Sequence, residues 1–224
     1  IFKPNAGPQT NFLAAGEREV LYGGSAGGGK SYAMLADPLR FMGHPAFSGL
    51  LLRHTTEELR ELVFKSQEMY PKIWPGIKWS ERKMQWTAPS GARLWMSYLD
   101  REDDVLRYQG LAFSWIGFDE LTQWPTPFAW NYMRSRLRST AKDLPVYMRA
   151  TTNPGGRGHH WVKKMFIDPA PYGEAFNATD IETTEVLSYP AGHAKAGKPL
   201  FKRRFIPARL SDNPYLAEQG DYEA

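Results

Sequence analysis

The chain has 224 residues, a formal net charge of +4, eight tryptophans and no cysteine. That length accommodates one domain with a small appendage around a sizeable core, and the lack of cysteine excludes a disulfide framework and a thiolate metal site and fits a reducing compartment. No run approaches the roughly 20 apolar residues of a membrane-spanning helix, no signal-peptide pattern opens the chain, and the mild basicity admits a nucleic-acid partner without demanding one.

Residues 1–15 are polar and turn-rich, with Pro4, Gly7 and Pro8 ahead of Phe12 and Leu13. The opening Ile in place of Met reads as the start of a fragment or of an ordered core. Gln9 lies upstream of the apolar run Val20, Leu21 and Tyr22, which reads as a short buried strand. Directly after it comes Gly24-Ser25-Ala26-Gly27-Gly28-Gly29-Lys30-Ser31, the pattern G-x-x-x-x-G-K-[ST] of a phosphate-binding P-loop. Glycines let the backbone close around phosphate and turn its N–H groups inward, and the following helix adds partial positive charge there. In that reading Lys30 contacts the β- and γ-phosphates, Ser31 holds Mg²⁺, and Tyr32 joins the nucleotide-binding residues. The helix is expected over 31–42, kinked or ended by Pro38.

A buried strand is expected over 48–53 (SGLLLR), and an amphipathic helix over 55–70, opened by a Thr55/Glu58 capping box. A loop over 71–79 leads to a β-hairpin over 83–98 that turns at Pro89-Ser90-Gly91. Residues 100–104 form an acidic cluster around Arg101 that reads as a solvated loop. The next buried strand, 114–118, ends in Asp119 and Glu120. An apolar strand closing on Asp-Glu has the form of a Walker B strand, with Asp119 on Mg²⁺ and Glu120 polarising the attacking water. A helix is expected over 126–138 and a strand over 146–151, ending in Thr151-Thr152-Asn153-Pro154. At the carboxyl edge of a parallel sheet, Thr152 or Asn153 could sense the γ-phosphate or the water, or the segment could simply be a turn started by Asn-Pro. A short helix is expected over 160–166, with His159 and His160 as loop or helix-start residues lacking metal-ligand spacing. Peripheral strands are expected over 182–187 and 205–208.

Gln9, GGSAGGGKS at 23–31, RYQGLAFSWIGFDE at 107–120, NYMRSRLRS at 131–139, ATTNPGG at 150–156 and FIPARLSDNPYL at 205–216, in this order, resemble the ATPase domain of the large terminase subunit of tailed bacteriophages. The resemblance implies an α/β P-loop NTPase of the additional-strand catalytic-glutamate class. Its mostly parallel sheet would be flanked by helices, with a hairpin insertion and a small C-terminal appendage. It implies an ATPase core over 1–168 and an extension over 169–224, leading toward a nuclease domain that would begin where this sequence stops, so no DNA cleavage is expected of it. The implied activity is Mg²⁺-dependent ATP hydrolysis driving double-stranded DNA into a procapsid. The motor would be a ring, usually of five subunits, docked on the portal protein and served by the small terminase subunit. It would act in the host cell cytoplasm during virion assembly, outside the mature virion.

By the same resemblance Gln9 matches an adenine-side glutamine, and Thr151, Thr152 and Asn153 a coupling motif. Arg107 matches an arginine that acts across the ring, with Arg136 and Arg138 as competitors on the helix expected over 126–138. Many relatives carry an arginine where this P-loop has Ser25 and Ala26. Basic clusters at Lys163-Lys164, Lys202-Arg203-Arg204 and Arg134, Arg136 and Arg138 are candidate DNA contacts or solvated faces. A helicase-like translocase and a nucleotide-switched scaffold with little turnover remain as alternatives; Glu120 speaks against the scaffold.

Overall fold

The computed structural model describes residues 3–24 and 29–209. Their centre is a nine-stranded sheet in the order β3-β4-β5-β2-β6-β7-β1-β9-β8. The strands are β1 (Glu19–Gly24), β2 (Ser48–Arg53), β3 (Lys78–Ser80), β4 (Gln85–Thr87), β5 (Arg93–Tyr98), β6 (Trp115–Phe118), β7 (Tyr147–Thr152), β8 (Ala175–Asn177) and β9 (Lys202–Ala208). From β5 to β9 all neighbouring pairs are parallel; β3, β4 and β8 add antiparallel edges. Helices α1 (Pro8–Ala14), α2 (Lys30–Ala36), α3 (Thr56–Ile73), α4 (Phe128–Arg134) and α5 (His159–Val162) complete the frame. Among the described residues no helix is long and apolar enough to cross a membrane.

Two apolar layers sandwich the sheet, because alternate side chains of a strand face opposite ways. Val20, Tyr22, Leu51 and Trp115 join Met34 of α2 and Leu62 of α3 in one layer. Leu21, Leu50, Leu52, Ile116 and Phe118 join Trp130 of α4 and Trp161 of α5 in the other. β7 lies between β1 and β6, so the strand of the P-loop and the strand of the Asp-Glu pair are separated by one strand. That is the additional-strand arrangement the resemblance implied.

Local signals explain most of the elements. Thr55 Oγ1 accepts from the Glu58 N–H at 3.3 Å while Glu58 Oε2 accepts from the Thr55 N–H at 3.2 Å, the reciprocal cap expected of that spacing. α3 then runs through Pro71, beyond the expected end. Tyr70 donates its hydroxyl to Leu35 O at 2.8 Å, and the Trp74 indole donates to Leu39 O at 2.9 Å, so tertiary bonds on both sides of the proline hold the last turn. α2 ends at Ala36 and tightens into a 3-10 turn, Asp37–Phe41, around Pro38.

Four expectations need correction. The 126–138 helix is shorter, because the backbone of Arg136 and Arg138 pairs with Phe113 at 3.0 Å in both directions and leaves the helical path after Arg134. Arg136 and Arg138 therefore do not share a helix. The expected strand at 182–187 is reduced to an isolated bridge between Thr179 and Val186. The acidic cluster leads into a 3-10 helix, Glu102–Tyr108. And 205–208 is not peripheral: β9 pairs with β1 from Arg203 to Ala208. Phe205 and Ile206 enter opposite apolar layers, and Arg203 is buried against Glu19, Nε to Oε2 2.8 Å.

Glu19 has no solvent exposure. Arg134 Nε also bonds its carboxylate, and Trp130 Nε1 donates to Oε2 at 3.4 Å. Burial raises the Glu19 carboxyl, but the charges and hydrogen bonds of Arg134 and Arg203 outweigh it and hold it below the ordinary value. Arg134 and Arg203, two of the candidate DNA contacts, are thus structural. Removing one member of a buried ion cluster leaves its partners uncompensated. Glu19→Gln is expected to destabilise the chain by about 3–5 kcal/mol in urea denaturation; a loss within about 0.5 kcal/mol, the spread of surface substitutions, would show that the cluster does not pin β9.

Candidate active site

The carboxyl ends of β6 and β7 lie side by side and bring four sequence-predicted residues together. Asp119 follows β6 and is fully buried; its N–H donates to Leu52 O at 2.9 Å. The Thr151 hydroxyl donates to Asp119 Oδ1 and accepts from the Glu120 N–H at 3.0 Å. One β7 side chain therefore fixes both residues of the Asp-Glu pair. Glu120 has φ 61° and ψ 58°, a left-handed conformation that is uncommon for a residue with a Cβ. Its carboxylate oxygens accept from Asn153, Oε2 from the backbone N–H at 3.1 Å and Oε1 from Nδ2 at 2.8 Å.

Lys30 opens α2 and is 6% exposed. Burial lowers its pKa, opposed by the charges of Glu120 and Asp119. Burial raises the Glu120 carboxyl, Asp119 raises it further, and Arg53 and Lys30 pull the other way. The P-loop lysine and the Asp-Glu pair are thus electrostatically one site, although they come from opposite sides of β7. Gly24, at the entry to the loop, has φ 140°, and a Cβ there would stand 1.8 Å from Ala208 O. Only glycine allows the loop to leave β1 so close to β9. Ser25, Ala26, Gly27 and Gly28 lie outside the described residues.

The site reaches further along β7. Thr152 donates its hydroxyl to Thr122 Oγ1 at 2.9 Å, and the Gly158 N–H donates to Thr122 O at 2.7 Å. A Cβ on Gly158 would lie 2.1 Å from Trp124 O, so that contact needs a glycine. The end of β7 and the turn after it are therefore bonded to the segment after β6 at Asp119, Glu120 and Thr122.

The remaining predicted residues are not in this cluster. Gln9 is buried; Nε2 donates to Gly29 O at 2.9 Å, and Oε1 accepts from the Asn5 N–H at 2.6 Å. It braces the last P-loop glycine with both ends of its amide. Tyr32 is 43% exposed, with Lys65 Nζ 5.8 Å from its ring centroid. Arg107 sits on the 3-10 helix, bonded to Asp104 at 3.1 Å and 5.8 Å from the Tyr98 ring centroid. Arg138 Nη2 donates to Gly110 O at 3.4 Å, and Arg136 lies 5.3 Å from the Tyr132 ring centroid.

Two residues of the site escape a reading of the sequence. Thr122 offers no signal. Arg53 does: it is a charged residue closing an otherwise apolar strand, and its Nε lies 3.1 Å from Asp119 Oδ2.

The donor set fits Mg²⁺. Asp119 offers a hard carboxylate oxygen, Oδ2, that is buried without a hydrogen-bond partner, and Ser31 follows Lys30 in the first turn of α2. Asn153 Oδ1 is likewise buried without a partner beside Glu120.

Residues 21–202 match the family described as the terminase large subunit, T4likevirus-type, N-terminal. The chain belongs to this family. No curated protein matches it in sequence. Solved structures share its fold. The large terminase from a thermophilic bacteriophage, in complex with ADP, is 17% identical with a TM-score of 0.64, covering 97% of this chain and 48% of that one. Another crystal form of the same terminase is 16% identical, with a TM-score of 0.61 and coverages of 97% and 50%. The large terminase ATPase domain of a Thermus phage is 12% identical, with a TM-score of 0.61 and coverages of 97% and 86%. This chain thus spans about half the length of the ADP-bound terminase.

Thr151→Val keeps the branched shape that suits β7 but removes the bridging hydroxyl, leaving the Glu120 N–H and Asp119 Oδ1 without that partner. Stability is expected to fall by about 1–3 kcal/mol in urea denaturation. A change below about 0.5 kcal/mol would show that the bridge is not made in solution.

Proposed function

We propose that this chain is the ATP-hydrolysing motor domain of a viral large terminase, driving double-stranded DNA into a procapsid. The single observation behind the chemistry is the Glu120 carboxylate: it follows the buried Asp119 and is held at both oxygens by Asn153. The family supports the reading at the level of the whole molecule, and the ADP bound to the thermophilic phage terminase is a likeness in fold that points the same way.

The roles divide by position. Gly24 to Ser31 wrap the phosphates, with Lys30 neutralising charge on the β- and γ-phosphoryl oxygens. Gln9 and Tyr32 flank the nucleotide. Asp119 and Ser31 would hold Mg²⁺, which when bound offsets the charge developing on the phosphates. Glu120 accepts the proton of the attacking water as the Pγ–O bond to ADP breaks, and its burial suits it to that work. The buried Asn153 Oδ1 has an open valence beside Glu120 with which to orient that water. Loss of γ-phosphate relaxes the Glu120–Asn153 contact, and Thr152, bonded to Thr122, passes the change to the segments after β6 and β7. DNA cleavage is not assigned to these residues.

The same proposal gives the chain its partners: double-stranded DNA, the portal protein, the small terminase subunit and further copies of itself in a ring of five. Its place of action is the host cytoplasm during assembly. Arg107 fits a role on a neighbour's nucleotide, since its own contacts are Asp104 and the Tyr98 ring and its side chain is 42% exposed.

Two measurements test the reading. Glu120→Gln is expected to bind ATP with wild-type affinity while single-turnover hydrolysis slows about 10²–10⁴-fold, the range for loss of a general base; hydrolysis close to the wild-type rate would remove Glu120 from that role. Turnover per subunit is expected to rise with protein concentration and to drop at least about tenfold in Arg107→Ala, since an arginine acting across an interface carries a large share of phosphoryl-transfer catalysis. Turnover that is flat with concentration and intact in the variant would remove Arg107 from that role and leave the ring without support from the ATPase domain.

A further inference from the structure

Arg53 belongs to neither the P-loop nor the Walker B pattern, yet it stands among the charges of the site. Its side chain is 9% exposed, that of Asp119 not at all, and Nε lies 3.1 Å from Asp119 Oδ2. Neither of those two atoms completes a hydrogen bond. The pair is therefore in contact as charges, without the aligned donor–acceptor geometry that makes an arginine–carboxylate pair strong. The other carboxylate oxygen, Oδ1, is already taken by Thr151. Arg53 is also felt by α3: against burial, the Gln123 hydrogen bond and then the Arg53 charge hold the Glu58 carboxyl below its ordinary value. Asp119, Glu120 and Glu58 thus share Arg53, and the first two share Lys30 as well.

A buried carboxylate needs a counter-charge whether or not a metal is present. A guanidinium fixed by two in-line hydrogen bonds would occupy Oδ2 and exclude a metal; one held by charge alone leaves that lone pair open. We propose that Arg53 is a positioning residue that serves as the counter-ion of Asp119 in the metal-free site and competes with the divalent cation for it. It thereby sets the Mg²⁺ concentration at which nucleotide is bound tightly. The proposal rests on the nucleotide-site reading above. It makes β2 and the first turn of α3, where Thr55 and Glu58 cap the helix and Glu58 accepts from Gln123 Nε2 at 2.6 Å, part of the response to metal.

The test is equilibrium binding of a fluorescent ATP analogue titrated with Mg²⁺, a readout independent of turnover. In Arg53→Gln the half-maximal Mg²⁺ concentration is expected to fall about tenfold, because removing a unit positive charge a few ångströms from the metal strengthens its attraction to Asp119. Arg53→Lys keeps the charge as a strongly hydrated ammonium without the planar fork, and its midpoint is expected about threefold below wild type; this variant decides the matter if Arg53→Gln does not fold. Midpoints that coincide with wild type, or move upward, overturn the proposal while leaving the nucleotide site intact. A wild-type protein that binds no analogue at any Mg²⁺ concentration overturns both.

Discussion

Two carboxylates on successive residues, Asp119 fully buried and Glu120 half-buried, are the constraint around which this structure is arranged. Burial disfavours the charge of Glu120, and the neighbouring Asp119 disfavours it further. Such a pair survives only where fixed donors and cations converge on it. The Thr151 hydroxyl, the Asn153 amide, Lys30 and Arg53 supply them, and they come from β7, the turn after it, α2 and β2. The parallel sheet is what makes the convergence possible: strands running the same way end at the same edge, so one row of chain ends can crowd its polar residues into one place.

The sheet order then gives β7 a particular position. Standing between β1 and β6, it touches the phosphate-binding loop's strand on one side and the Asp-Glu strand on the other. The left-handed backbone at Glu120 and the hydroxyl bridge from Thr151 tie the end of β6 to β7 more tightly than the ladder alone would. At the opposite edge a second ion cluster, Glu19 with Arg134 and Arg203, fastens β9 and α4 to the start of β1. β1 is therefore clamped at its amino end by charge and delivers the P-loop from a rigid base, as a site that must hold phosphate in a fixed geometry requires.

What can be read from the sequence is what is local or periodic. The strand 48–53, the Thr55/Glu58 cap, the break at Pro38 and the hairpin turning at Pro89-Ser90-Gly91 each follow from a few adjacent residues. What cannot be read depends on partners distant in sequence. β9 looks peripheral because its basic residues read as a surface, and only Glu19, distant in the chain, shows that Arg203 is interior. The helix at 126–138 looks longer because its apolar spacing persists, whereas Phe113 captures the backbone at Arg136 and Arg138. The motif residues Lys30, Asp119, Glu120, Thr152 and Asn153 are legible because their chemistry is bound to a fixed pattern. Thr122 is not, and Arg53 shows only as a charge closing the apolar strand β2, since nothing in their spacing announces that they meet that pattern.

The two orphaned acceptors at the centre of the site bear on how such an assembly works. Buried oxygens without a partner are costly, roughly 1–3 kcal/mol each, and native cores avoid them. Asp119 Oδ2, faced by the Arg53 charge at 3.1 Å but by no hydrogen-bond donor in line, is partly of this kind, and Asn153 Oδ1 is fully so. A bound cation at the first and a water at the second would each relieve a penalty that burial imposes. Binding is then favoured by what it repairs as well as by what it adds. Because Asn153 also holds Glu120, a water bonded at Asn153 Oδ1 would alter the restraint on Glu120. On the proposed reading, occupancy of the site would be linked to the position of the residues after β6 and β7 through these contacts.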